Sequence, residues 1–211
     1  MQEYVINRPE KGAMDQILQK NSYNAAETIL RLAWQAGLLR DEIQHLTWAQ
    51  IDFPYRQIVL PDRTVPISEE LVDWLADLKD HRNGCSETVV LSDRDRKPLT
   101  PQSISRLART ALDKEGQTAI RLIDLRHDFV LRQLEEHDWQ YVSRITGVEA
   151  AALNLHFSKH LREKKVSTRI RREEPAQIDE FSLWKLVQTE RTTPAGVTLW
   201  LTWQLGLRLE E

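Results

Sequence analysis

Residues 123–134 read IDLRHDFVLRQL. Asp124 stands where a helix N-cap is favoured, ahead of the helical run LRHDFVLRQLEE, and an adjacent arginine and histidine, Arg126 and His127, lie inside it. Downstream, WQYVSRITG (139–147) and VEAAALNLHFSKHLREK (148–164) continue in helical pattern. Upstream, Thr100-Pro101 supplies an N-cap and an N1 proline for PQSISRLARTALDKEG. ETVVLS (87–92) reads as a further strand or extended segment. Ser68 caps EELVDWLADLKDH (69–81), whose two leading glutamates suit the positive end of a helix. Three short strands are expected at 49–53, 56–61 and 63–67, and helices at 10–20, 24–36 and about 40–47, with Gly37 as a left-handed stop. The expected fold is mainly helical, with a small antiparallel sheet inserted after the third helix.

Composition narrows the function classes. A chain of 211 residues with 41% hydrophobic and 29% charged residues is that of a globular protein of one or two domains. No apolar run approaches the roughly 20 residues of a membrane span, so no membrane partner is expected. The single cysteine, Cys85, excludes an internal disulfide framework and fits a reducing cytoplasm. The net charge of −3 argues against a purely electrostatic grip on nucleic acid, yet 157–172, FSKHLREKKVSTRIRR, carries seven Lys or Arg against one Glu. That run either tracks phosphates or forms a solvated linker. His156 and His160 stand four apart without a third ligand, so no metal is expected, nor any cofactor.

Five stretches, in this order and at these distances, resemble the catalytic domain of the tyrosine recombinases, or phage integrases: GLLRDEIQHLTWAQID, RTVPISEELVDWL, VVLSDRDRKPLTPQSISRLARTAL, IDLRHDFVLRQL and ITGVEAAALNLHF. The resemblance covers residues 10–160 and implies the DNA breaking-rejoining fold, DNA as partner, and recombination or integration as the setting. In that family a tyrosine attacks a DNA phosphate and holds the strand as a phosphotyrosyl ester. Two arginines and a histidine or tryptophan bind the non-bridging oxygens, and a hairpin lysine with another histidine or lysine manages protons.

Position by position, this chain departs from that set. The first arginine's place, after Gly-Leu and three before Glu42, holds Leu39; Arg40 is one residue late, about 100° round a helix. The hairpin keeps Arg63 and Val65-Pro66 but has a shortened turn and no lysine. The H-x-x-R-H signature is Ile123-Asp124-Leu125-Arg126-His127, retaining Arg126 and His127. Val148 stands for the next histidine or tryptophan, and Phe157 for the nucleophile. Tyr4, Tyr23, Tyr55 and Tyr141 are not placed to substitute. Phenylalanine carries no oxygen, so no phosphotyrosyl bond can form. Leu39, Ile123, Val148 and Phe157 are all apolar, as if the pocket had been packed shut. For Arg126 two readings stand: a retained phosphate contact, or a buried arginine paired with Asp124 or Glu42. His127 is read as structural, and Glu42 as an anchor for a neighbouring helix.

The chain also repeats itself. A gapless shift of 169 positions lays 24–39 on 193–208, with Trp34-Gln35 on Trp203-Gln204, Gly37-Leu38 on Gly206-Leu207, and Leu39 on Arg208. The expectation is one degenerate catalytic-like domain at 8–165, a basic and acidic linker at 166–178, and the start of a second copy at 179–211, with the family's arginine as Arg208. Three functions follow: an inactive DNA-binding or regulatory integrase-like protein, with Arg126, Arg63, Lys159, Arg162, Lys164 and Lys165 as DNA contacts; an active recombinase working through the second copy; or a pseudo-subunit that packs on a recombinase partner or a second copy of itself.

Overall fold

A computed structural model describes residues 6–82, 86–165 and the isolated positions 189, 193 and 197, with the side chains of 162–165 outside the description. The helices begin where short polar side chains satisfy their free amides. Asn24 Oδ1 accepts from the Glu27 amide at 2.9 Å to open α1–α2's second member, α2 (Ala25–Gln35), after a six-residue α1 (Ala13–Leu18). Ser68 caps α4 (Glu69–His81) through the Leu71 amide, and Thr100 caps α5 (Pro101–Lys114) through the Ser103 amide, both as expected from sequence. Asp138 does the same for α7 (Trp139–Thr146) through the Tyr141 amide at 2.7 Å.

Asp124 is not the N-cap of α6 (Leu122–Glu136). The helix starts three residues earlier than expected, and Asp124 sits in its first turn, reaching back to accept from the Arg121 amide at 2.8 Å. The first helix is shorter than expected, because Gly12 takes a left-handed conformation at φ 78° immediately before it. Gly37 also has positive φ, 62°, and turns the chain after α2 so that the Leu38 amide donates back to the Leu32 carbonyl. A side chain there would meet the Phe129 ring at 2.2 Å, so glycine is required by packing as well as by φ.

After α3 (Arg40–His45) and a turn of 3-10 helix at Trp48–Gln50 come β1 (Ile51–Asp52), β2 (Gln57–Val59) and β3 (Thr64–Pro66). They pair antiparallel in the order β1-β2-β3, with Ile58 opposite both Ile51 and Val65. These three form the buried face, and Val59 points to the exposed one, as alternation dictates. The 87–92 stretch makes isolated bridges, Thr47 with Thr88 and Leu91 with Pro98, rather than a strand. It is extended because Val89 and Val90 are buried and the Val89 amide is held by the Leu46 carbonyl.

Helix α2 is central, packed on both α5 and α6, while α7 and α8 (Ala150–Lys165) lie against α6 and against each other. Burying α2 nearly all round takes a charged residue into the core. Arg31 is satisfied there by Glu27 at 3.1 Å, Glu70 at 3.2 Å, the Leu18 carbonyl and Asn21. The chain divides into two units, Met1–Val166 and Ser167–Glu211. The expected linker at 166–178, the second copy at 179–211 and Arg208 lie outside the described residues, apart from positions 189, 193 and 197. Among the described residues no helix is long and apolar enough to cross a membrane.

Candidate functional site

Three elements meet at one carboxylate. Glu42, in the first turn of α3, accepts from the Leu39 amide at 2.6 Å and so closes the helix start. Its other oxygen lies 2.6 Å from Nη1 of Arg63, which precedes β3, while Arg126 Nη1 on α6 is 3.8 Å from the oxygen that faces the Leu39 amide. Arg63 also donates to the Ile145 carbonyl at 3.0 Å and pairs with Asp62 at 3.1 Å. Arg126 donates to the carbonyl of Gly37 at 2.5 Å and to that of Thr146 at 2.7 Å. The guanidinium therefore ties α6 to the end of α2 and the end of α7. Burial lowers its pKa from the ordinary arginine value, partly opposed by Glu42. Glu42 is thus the helix anchor expected, and it is the acid beside Arg126; both arginines proposed as DNA contacts, Arg63 and Arg126, are buried and engaged within the protein.

His127, next on α6, faces α8. Phe157 is 5% exposed, its ring set edge-on to the His127 imidazole with centroids 5.8 Å apart. Burial lowers the His127 pKa from 6.5, with Arg126 and His156 acting in the same direction and Asp124, 4.0 Å away, opposing. The imidazole is therefore neutral at pH 7.

Val148 is half-buried beside this cluster. Leu39 and Ile123 are not. They are 39% and 44% exposed and line one open cleft of about 720 Å³ between α3, α5 and the start of α6. The expectation that four apolar replacements had packed the pocket shut fails for these two. Leu39 caps α3 in an extended conformation, and Ile123 lies on the outer face of the first turn of α6, so neither is turned inward. Arg40, the first residue of α3, pairs with its neighbour Asp41 at 3.2 Å and lines the same cleft.

Sequence reasoning missed the rest of the lining: Arg106 and Arg109 on α5, and Arg121 before α6. Arg106 and Arg109 are three apart, one face of a helix, which was the available signal. Of the basic run, Lys159 is exposed on α8, while the side chains of Arg162, Lys164 and Lys165 lie outside the described residues. Tyr23 is taken up by stacking on Trp74 and His81, and Tyr141 packs against His137. Among the described residues no three metal-ligating side chains meet.

Comparison with known proteins places this geometry. No curated protein matches the sequence. Among solved structures, XerA recombinase superposes with a TM-score of 0.66 at 23% identity, over 81% of this chain and 67% of that one. Tn1549 transposon integrase, in complex with transposon right-end DNA, gives 0.61 at 14% identity, over 80% and 68%. A lambda integrase dimer bound to a COC' core site gives 0.50 at 17% identity, over 69% and 59%. At these identities the likeness is one of fold, mainly helical with a three-stranded antiparallel sheet. The sequence itself goes further, since residues 10–152 match the model of the phage integrase family. The chain belongs to that family, the tyrosine recombinases, through its catalytic domain.

Proposed function

We propose that this domain no longer cleaves DNA and acts in recombination as a DNA-binding or regulatory partner. The observation that supports the reading is Phe157, which the sequence resemblance aligns with the nucleophile and which is buried with its ring against His127. A phenyl ring cannot esterify a phosphate. The neighbourhood argues the same way. Arg126 is held by two backbone carbonyls, Leu39 and Ile123 offer no hydrogen-bond donor, and the β2–β3 turn is closed by the Leu60 amide on the Arg63 carbonyl with no lysine in it. Each missing donor to a developing oxyanion costs about 3–4 kcal/mol of barrier. DNA binding is supported by the arginines of the α3–α5–α6 cleft rather than by Arg63 or Arg126.

The test is incubation with a nicked suicide duplex, in parallel with fluorescence anisotropy on intact duplex across a salt series. The expected result is no covalent adduct, and log affinity falling in log salt with a slope of roughly −2 to −4 if two to four arginines meet phosphates. A covalent adduct overturns inertness; absence of binding at low salt overturns the DNA reading.

A further inference from the structure

Two of the large apolar side chains left exposed among the described residues, Leu39 and Ile123, line a single cleft. They come from different helices, 84 positions apart, so no local pattern put them together. Leu122 lines the same cleft. Two of those arginines already have carboxylates: Arg40 has Asp41, and Arg109 has Asp113 at 3.0 Å. Arg106 and Arg121 form no ion pair among the described residues. The cleft thus offers an apolar wall and two cations with no ion pair among the described residues, within a volume of about 720 Å³ that suits a small molecule.

A phosphodiester backbone matches only half of this. Its charges would answer the arginines, but setting phosphate oxygens against Leu39 and Ile123 removes water from them and returns no hydrogen bond. A molecule with both an apolar body and one anionic group answers all of it. We infer that the cleft is a binding site for an amphipathic organic anion, with its chain or ring system on Leu39, Leu122 and Ile123 and its carboxylate or sulfonate between Arg106 and Arg121. Occupied, the site covers the arginines available to DNA, so ligand and duplex compete. Ligand binding goes beyond the DNA reading and does not rest on it, because the ligand is measured with no DNA present; only the competition with duplex rests on that reading.

The probe is anilinonaphthalene sulfonate, followed by its fluorescence on the full chain, with decanoate and decyltrimethylammonium as competitors below their micellar concentrations. Decanoate is expected to displace the probe, and the cationic analogue, of the same chain length, to fail. R106E/R121E is expected to weaken probe and decanoate by about tenfold or more through loss of charge-assisted bonds. L39S/I123S is expected to weaken both by about tenfold through lost apolar contact while leaving duplex affinity within about twofold. All four positions are surface-exposed or cleft-facing, so both variants should keep wild-type unfolding midpoints, which separates lost binding from lost fold. Equal displacement by the cationic analogue, or wild-type affinity in either double variant, overturns the proposal. So does displacement by a short duplex but not by decanoate, an outcome that leaves the DNA reading standing alone. Amphiphile binding without any duplex binding overturns the DNA reading and leaves the amphiphile site.

Discussion

Replacing Glu42 by glutamine removes one negative charge from between two buried cations. The carboxylate is 19% exposed on its side chain, that of Arg63 5%, and the contact between them is 2.6 Å. Breaking a buried ion pair by removing one partner costs about 3–5 kcal/mol, because the other charge is left desolvated. Two features lower that figure here. Arg63 keeps Asp62 at 3.1 Å and the Ile145 carbonyl, and Arg126, at 3.8 Å, keeps its two carbonyl acceptors. Glutamine can still accept from the Leu39 amide, so the start of α3 survives. The expected loss for E42Q is therefore about 2–3 kcal/mol, at or just below the lower end of the range for such pairs. At about 2–4 °C per kcal/mol for a domain of this size, the melting midpoint falls by roughly 4–12 °C. Urea unfolding followed by tryptophan fluorescence gives the free energy, and a cycle with R63Q isolates the pair. A coupling of about 1–2 kcal/mol is expected for groups in direct contact. A loss under about 0.5 kcal/mol, the level of an ordinary surface change, would refute the view that Glu42 holds the arginines in place.

Gly37→Ala combines left-handed strain of about 1–2 kcal/mol with a methyl 2.2 Å from the Phe129 ring, and should cost about 3–5 kcal/mol, read by urea unfolding. On the proposed reading, Phe157→Tyr is expected to give no suicide-substrate adduct, because leucine at 39 and isoleucine at 123 remain; a trapped adduct would show that the residual cluster is competent. The pH dependence of stability should carry the signature of His127. Its unfolded pKa is near 6.5 and its folded pKa is lower, mainly through burial. Between those values the unfolded chain binds more protons, so stability present above 6.5 is lost as pH falls through that window. His127→Gln should flatten this slope in urea titrations at stepped pH, and an unchanged slope would assign it elsewhere.

Much of the fold was legible because its signals are local. Ser68 and Thr100 cap the helices they precede, Gly37 stops α2 with positive φ, and three short strands pair in sequence order. The errors were local as well. Asp124 has the chemistry of an N-cap, but a carboxylate three residues into a helix can serve the same amide from inside, and sequence does not say which side of the boundary it occupies.

The site divided differently. Sequence by itself determined the side-chain types on which the proposed inertness rests: a phenyl ring at position 157, isoleucine at 123, leucine at 39 and no lysine in the hairpin are facts of composition that no packing can alter. It also supplied the family, since residues 10–152 carry that pattern unaided. Only the tertiary structure decided what the remaining residues do. Arg126 reaches Gly37 across 89 positions and Arg63 reaches Ile145 across 82, which makes both internal struts. Leu39 and Ile123 face solvent rather than a sealed pocket, and Arg106 and Arg121 join them from another helix and a helix entrance. Caps and periodicities act within a turn or two of the chain, whereas burial and charge compensation depend on which distant segments meet, and that is settled only when the whole core closes.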